Sequence, residues 1–338
     1  MAETHVGGGA VKLDIIVPHY KEPWEVCKYL FDSIALQRGV LFDNIRVIVV
    51  NDGDECVPDL SLTLDYPYRI VWSIKKHGGV SDTRNYGLDK SDADYVMFCD
   101  ADDGFLNNYG LHLVFAAMQE GFDLLCGSFI EETWDANGNP IIVPHTRDMT
   151  FMHGKAYRRQ FLVDNELRFD PRMTVHEDGY FNMLTYAVAK KSGTIKYIDT
   201  PFYQWMWHGE STVRKDRKDF TLKTYPDVML TRIGLCDELK RRGLTEAFED
   251  SVCMTVLNSY YDFQKTSYRT AENKKYAKAG KKAFKEFYTR FGKTFLACTN
   301  LKVAEVAKVA RENALKKGLL IEEESLRAWL KHIEYEVK

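Results

Sequence analysis

The chain is poor in several features, and each shortage closes off a class of protein. No apolar run in its 338 residues approaches the ~20 residues that cross a bilayer, so nothing in it reads as a membrane span. The start, Met1 to Ala10, has no charged segment followed by an apolar one and ends in Gly7-Gly8-Gly9. Residues 1–11 therefore read as a flexible tail rather than a secretion signal. The seven cysteines, at 27, 56, 99, 126, 236, 253 and 298, include no Cys-x-x-Cys and no paired spacing. That scatter fits neither a disulfide framework nor a zinc site. Several of the seven sit inside apolar runs, as reduced core residues of a cytoplasmic protein do. Internal repeats and low-complexity segments are also missing, which leaves ordinary globular domains.

What is present suits that reading. The composition, 45% hydrophobic and 28% charged, is that of a soluble globular protein, and the length allows one large domain or two. The net charge of −3 conceals an asymmetry: Lys274 to Lys317 hold 13 Lys and Arg against 3 Glu, a local +10, which leaves −13 for the rest. An acidic body thus carries a basic C-terminal region.

Periodicity divides the body into alternating elements. Leu13 to Pro18, Ile45 to Val50, Arg69 to Ile74 and Tyr95 to Cys99 have the length and β-branched, apolar make-up of buried strands. Trp24 to Gln37 and Val80 to Lys90 carry helical spacing between them, so a parallel sheet with right-handed crossovers is expected. Further helices are expected at 111–120, around 155–165 and from His176 through Ala189, with strands at 123–133 and 141–143 and a strand pair broken at Pro201 within 196–207. Asn137-Gly138 signals the hairpin between the first two of these strands, which makes this part antiparallel. From about Asp216 the pattern becomes helical, rich in Lys and Ala, with Pro226 as its one proline. The expected organisation is an α/β domain over 12–215 and a basic helical region over 216–338.

The chemistry concentrates where the fourth strand stops. Asp100, Asp102 and Asp103 follow Cys99 within four residues, at the strand's carboxyl end, where open α/β sheets bind ligands. Three carboxylates so close repel one another unless something positive sits among them. They suit a hard cation such as Mg²⁺ or Mn²⁺ that holds the phosphates of a nucleotide, although Asp also simply starts helices.

Five stretches stand in a fixed order: Ile15-Ile-Val-Pro-His-Tyr20; Val47-Ile-Val-Val-Asn-Asp-Gly53; Gly78-Gly-Val-Ser-Asp-Thr-Arg-Asn-Tyr-Gly-Leu88; Phe98-Cys-Asp-Ala-Asp-Asp103; and His176-Glu-Asp-Gly-Tyr-Phe181. In that order and spacing the chain closely resembles a family 2 glycosyltransferase with the GT-A fold. Weaker matches continue the register at Gly154-Lys155-Ala-Tyr-Arg-Arg159 and from Tyr203 to Ser211-Thr212, so the resemblance covers roughly 12–214.

The resemblance implies a Rossmann-like, mostly parallel sheet and transfer of a sugar, with inversion, from a nucleotide diphosphate donor, UDP-sugar being favoured. It implies donor contacts from Pro18, Tyr20, Asp52, Gly79, Arg84, Asp100 and Asp103, and a Mn²⁺ or Mg²⁺ ion held by Asp102 with Asp100 and His208. It implies Asp178 as the general base that takes the acceptor hydroxyl's proton. The residues themselves leave alternatives open. Asp52 can accept from a pyrimidine N3–H or cap the next turn; Gly78 and Gly79 can admit a nucleotide or form a plain turn. Arg84 can meet a phosphate or pair with Asp82 or Asp89, and Glu177-Asp178 can merely open a helix. Trp205 and Trp207 can stack on sugar rings or share one buried strand face. Three positions depart from the family pattern: Asn51 and Asp54 stand in place of the first aspartate and the serine of the usual Asp-Asp-Gly-Ser, so the base contact rests on Asp52 alone, and His77 stands where an asparagine precedes Gly-Gly-Val-Ser. A nucleotidyltransferase would need a glycine-rich loop after the first strand, and Pro18 to Pro23 has no glycine. The acceptor is not encoded in any recognised motif; a glycan or hydroxymethylated DNA would both present a hydroxyl. Lysines at 274, 275, 278, 281, 282 and 285 recur at three- and four-residue steps. They form either a solvated face or a contact for a polyanion such as DNA or an anionic membrane.

Overall fold

Strand β1 (Leu13–His19) is apolar at nearly every position, and Leu13, Ile15, Ile16 and Val17 are completely buried. Only a central strand covered on both faces can hide both sets of side chains. In the computed structural model, which describes residues 11–53, 60–135, 138–207, 220–316 and 325–336, β1 pairs in parallel with β2 (Ile45–Asn51) and with β4 (Tyr95–Phe98). Strand β3 (Arg69–Ile74) extends the parallel part from β2. The chain forms two units, Met1–Ser211 and Thr212–Lys338.

The sheet of the first unit runs β3-β2-β1-β4-β8-β6-β9-β5, with β7 paired to β6. The added strands are β5 (Gly104–Phe105), β6 (Leu124–Trp134), β7 (Pro140–His145), β8 (Lys155–Arg158) and β9 (Ile195–Trp205). Parallel pairing dominates from β3 to β4. Beyond that, β8 enters antiparallel between β4 and β6, while β6 and β9 pair in parallel. The directions of β4, β6 and β9 therefore agree, and their carboxyl ends lie along one edge with those of β1 and β2.

Two expectations need correction. The segment 155–165 is helical only as α4 (Arg159–Asp164); its first four residues are β8. Lys155 misled the periodicity, because it lies 1% exposed in a strand instead of on a helix surface. The strand pair expected over 196–207 is a single strand, β9. Its irregularity falls where expected, as a shift of register and not a break: opposite Gly127 to Phe129 of β6, β9 passes from Ile198 to Tyr203, the stretch that contains Pro201.

Helices cover the sheet. In α1 (Trp24–Ala35), Cys27, Leu30, Phe31 and Ile34 recur at three- and four-residue steps and are buried, each worth roughly 1.5–3 kcal/mol for the larger apolar side chains. Helix α2 (Val80–Lys90) approaches β1 so closely that a Cβ on Gly87 would run into Ile16 Cγ2. Helices α3 (Gly110–Glu120) and α5 (Glu177–Ser192) complete the unit.

The second unit contains α6 (Phe220–Lys223), α7 (Tyr225–Arg241), α8 (Thr245–Phe263), α9 (Lys274–Ala297), α10 (Asn300–Lys316) and α11 (Leu326–Glu336). Its core is aromatic: Phe284 lies 4.8 Å from Trp329, and Phe287 lies 5.0 Å from Phe291. Among the described residues no helix is long and apolar enough to cross a membrane. Cys27, Cys99, Cys126, Cys236 and Cys253 are buried free thiols.

Candidate active site

The carboxyl edge of the sheet gathers the acids that the sequence singles out. Asp100 and Asp102 follow β4, and Asp178 sits in the first turn of α5. Arg84, on α2, joins the two groups. It is 4% exposed, and its guanidinium donates through Nη2 to Asp100 Oδ1 at 2.8 Å and through Nη1 to Glu177 Oε1 at 2.7 Å. The ring of Phe169 lies 5.4 Å beneath it, and Phe169 stacks at 4.0 Å on Phe181. This is the fork geometry for which arginine, unlike lysine, is built. Of the open alternatives for Arg84, neither Asp82 nor Asp89 is its partner; Lys75 and Arg168 take those acids.

Local structure explains why α5 starts at the right place. Asn85, one residue after Arg84, clasps the backbone of Phe169, donating to its carbonyl at 2.9 Å and accepting from its N–H at 3.0 Å. Ser81 Oγ donates to Met173 O at 3.0 Å. One face of α2 thus holds the segment that leads into α5. Immediately before Glu177, His176 adopts a left-handed backbone (φ 62°), a conformation costly for a residue with a Cβ and often found at functional sites.

Environment sets the charges apart. Burial works against ionised Asp100, yet Arg84 outweighs it and holds the carboxyl below its usual range. At Asp102 the balance is reversed: burial, with Asp103 and Asp100 adding repulsion, pushes the carboxyl up to about 7. Burial likewise pushes Asp178 up to about 7, with Glu177 adding repulsion and Arg84 opposing it. Asp178 Oδ1 accepts the N–H of Gly179 at 2.7 Å. Two carboxyls poised near neutrality in one acidic centre are where proton transfer or cation binding would be sought.

Asp103 is turned inward. It is completely buried and accepts from Tyr203 Oη at 3.0 Å and from the Met206 N–H at 3.1 Å, with His153 Nδ1 at 3.2 Å. Its role in the fold is to anchor the end of β9. Asp52 is also occupied by its own chain. Its two oxygens accept from Lys75 Nζ at 2.7 Å, Gly78 N at 2.9 Å and Gly79 N at 2.8 Å, and His77 Nδ1 lies 2.8 Å away. These donors outweigh burial and hold Asp52 below the usual carboxylate range. Gly79 (φ 87°) opens α2 in a conformation that suits glycine. Tyr20, 41% exposed, stacks at 4.7 Å on His77, and Pro18 is half-buried at the end of β1. Trp205 packs on His153 at 4.7 Å, while Trp207 is 38% exposed and meets Trp134 at 5.6 Å, so the two tryptophans do not share one buried face. His208 and Ser211-Thr212 lie outside the described residues.

Residues 14–173 match the family model described as glycosyl transferase family 2. They form a family 2 glycosyltransferase domain. Poly(ribitol-phosphate) beta-N-acetylglucosaminyltransferase TarS of Staphylococcus aureus is 25% identical over 275 residues, covering 76% of this chain and 45% of that protein. The putative glycosyltransferase EpsH of Bacillus subtilis is 23% identical over 212 residues, covering 56% of this chain and 60% of its own length. A crystal structure of S. aureus TarS 1-349 in complex with UDP-GlcNAc has a TM-score of 0.59 at 18% identity, covering 93% of this chain and 97% of that one. The likeness in fold is therefore to a GT-A enzyme. The chain spans 60%, 10% and 30% of the first three curated relatives it matches.

Two residues of the family 2 domain, His153 and Glu22, escaped the sequence reading, as did the pairing of Glu177. His153 joins Asp100 and Asp103 in a group whose possible ligand atoms all lie within 4.8 Å. Glu22 accepts the Tyr20 N–H at 2.6 Å and adds a fourth acid near Asp100 and Asp102. Glu177 is the partner of Arg84. Only Glu177 carried a signal beforehand, through its place beside Asp178.

Proposed function

We propose that this protein is an inverting glycosyltransferase that moves a sugar from a UDP-sugar to an acceptor hydroxyl, with Asp178 as general base. The observation that carries this reading is the Arg84 bridge, which ties the acids after β4 to the start of α5 and so brings a cation-binding motif and a candidate base to one centre. A base works best with a pKa near the operating pH, and Asp178, pushed up to about 7, meets that requirement. The UDP-GlcNAc complex of TarS, a protein of the same fold, supports a uridine diphosphate donor.

The donor set fits a hard cation. Asp100 and Asp102 offer carboxylate oxygens; burial is the main cause that pushes Asp102 up to about 7, and the repulsion from Asp103 and Asp100 that adds to it is what a divalent ion would relieve. Asp100 and Asp102 would hold Mn²⁺ or Mg²⁺; His153, beside Asp100 and Asp103, is better placed among the described residues than any other histidine to join them. When bound, such an ion would stabilise the negative charge that grows on a departing diphosphate. The chain's own residues do the rest. Arg84 keeps Asp100 ionised and fixes Glu177, and Asp178 receives the proton of the attacking hydroxyl. Asp103 and Tyr203 hold the end of β9 in place. The buried, unpaired thiols support a cytoplasmic location.

The test is hydrolysis of UDP-GlcNAc with Mn²⁺. Wild-type protein should release UDP, and Asp102→Ala should not. Metal-independent release by both proteins, or release by neither with a panel of UDP-sugars, would sink the proposal.

A further inference from the structure

Helix α9 carries its charge in an unusual arrangement. At 100° per residue, Lys274, Lys275, Lys278, Lys281, Lys282, Lys285 and Lys293 fall within an arc of about 120°. The opposite side holds Gly280, Phe284, Phe287, Phe291 and Phe295, all buried in the second unit. Lys281 and Lys285 are half-buried; Lys281 leans over the Phe263 ring at 6.0 Å and Lys285 donates to the Glu334 carbonyl at 2.8 Å. Lys274, Lys275, Lys278, Lys282 and Lys293 remain exposed. Among the described residues none of these five lies within ion-pair distance of an acid, although Lys302, Arg290 and Lys265 of the same unit each have one. The nearest acid within the helix, Glu286, lies at the edge of the arc. Like charges four residues apart repel by a few tenths of a kcal/mol, so the arrangement is retained against its own electrostatics.

We infer that this face of α9 is a docking surface for a flexible phosphate polymer, a chain that carries one negative charge per repeat. Charge complementarity supplies the argument. Lys274, Lys278 and Lys282 advance by about 6 Å along the helix axis and turn by about 40° at each step, a gently winding row of cations that the anions of a flexible chain can follow. A lipid surface fits less well. Helices that lie on membranes insert an apolar face, and that of α9 is already buried among its neighbours. The inference stands on the second unit alone and does not depend on the catalytic proposal.

Fluorescence polarisation with labelled long-chain inorganic polyphosphate, titrated across salt, tests it on the full chain. With four or five phosphates neutralised, log affinity should fall with log salt at a slope of about −3, at about −0.7 per contact on a flexible strand. The triple variant Lys274→Gln/Lys278→Gln/Lys282→Gln should lower that slope by about 2 and weaken binding at least ten-fold at low salt. Lys90→Gln/Lys191→Gln/Lys240→Gln removes the same charge from exposed lysines elsewhere and should change binding less than three-fold. Thermal melts of both variants establish that they fold. No binding at low salt, or equal loss in both triple variants, overturns the inference. So does tighter binding of phosphatidylglycerol vesicles or of duplex DNA at equal charge.

Discussion

Arg84 on α2 and Lys278 on α9 are both basic helical residues, and the protein treats them in opposite ways. Arg84 is buried and forked between two acids; Lys278 is exposed among like charges, with no acid among the described residues at ion-pair distance. A buried charge must be compensated almost completely, and compensation fixes geometry: Asp100 and Glu177 can stand only where the guanidinium allows. An exposed charge is hydrated and free to move, so it fixes nothing and instead contributes to a field felt at a distance. The first unit uses charge to place atoms. The second uses it as a surface property.

Breaking that contrast should give effects of very different size. The largest is expected for Arg84→Leu, which strands Asp100 and Glu177 without a cation. Unfolding in urea should show a loss of about 3–5 kcal/mol, and Arg84→Lys should recover only part of it. A result within 1 kcal/mol of wild type would mean the bridge is not structural.

Asp178→Asn should keep the fold and the donor affinity while transfer falls by ~10²-fold or more, the scale of a lost general base. Calorimetry with UDP and a single-turnover rate separate the two effects. If transfer stayed within a few-fold of wild type, Glu177 would be the next candidate.

The third concerns pH. Asp178 must be ionised to accept a proton, so the transfer rate should fall ten-fold per pH unit on the acid side of about 7. Burial is the main cause of the raised value and Glu177 the second. Glu177→Gln should therefore move that limb to lower pH; a limb that stayed in place would assign it to another group. The same raised carboxyls have a stability consequence of definite sign. A carboxyl titrating near 7 in the folded chain and near 3.8 unfolded is ionised first in the unfolded state. It therefore removes stability as pH rises from about 4 to 7. In chelator, Asp102→Asn should melt higher than wild type at pH 8 and lose that advantage as the pH falls to about 4.

The smallest effect belongs to the exposed lysines. Neutralising Lys274, Lys278 and Lys282 should leave the melting point unchanged or raise it slightly, because each like-charge neighbour relieved is worth only a few tenths of a kcal/mol. A marked loss of stability would mean the stripe is part of the packing after all.

What the sequence could disclose followed the range over which its signals act. β1, β2 and β4 were readable because burial on both faces leaves continuous apolar runs, and the acids after β4 because they are adjacent in the chain. β8 was not, since Lys155 and Arg158 at its ends read as surface positions. Nor was the pairing of Arg84 with Glu177, 93 residues apart, because periodicity reports on one element at a time. His153 gave no local sign; it reaches Asp103 from 50 residues away through the approach of β8 to β4. Motif order located the carboxylates of the site, while their partners depended on how the elements pack.

The closure of the 75–79 loop onto Asp52 has a kinetic consequence. The amides of Gly78 and Gly79 are both spent on that carboxylate, so they should exchange with deuterated water far more slowly than a glycine turn between a strand and a helix would otherwise allow. A nucleobase that bids for the same oxygens must first loosen these amides. Occupancy at Asp52 should then appear as faster exchange at Gly78 and Gly79, the reverse of the protection that ligands usually confer, and those two positions become a clock for the arrival of the donor.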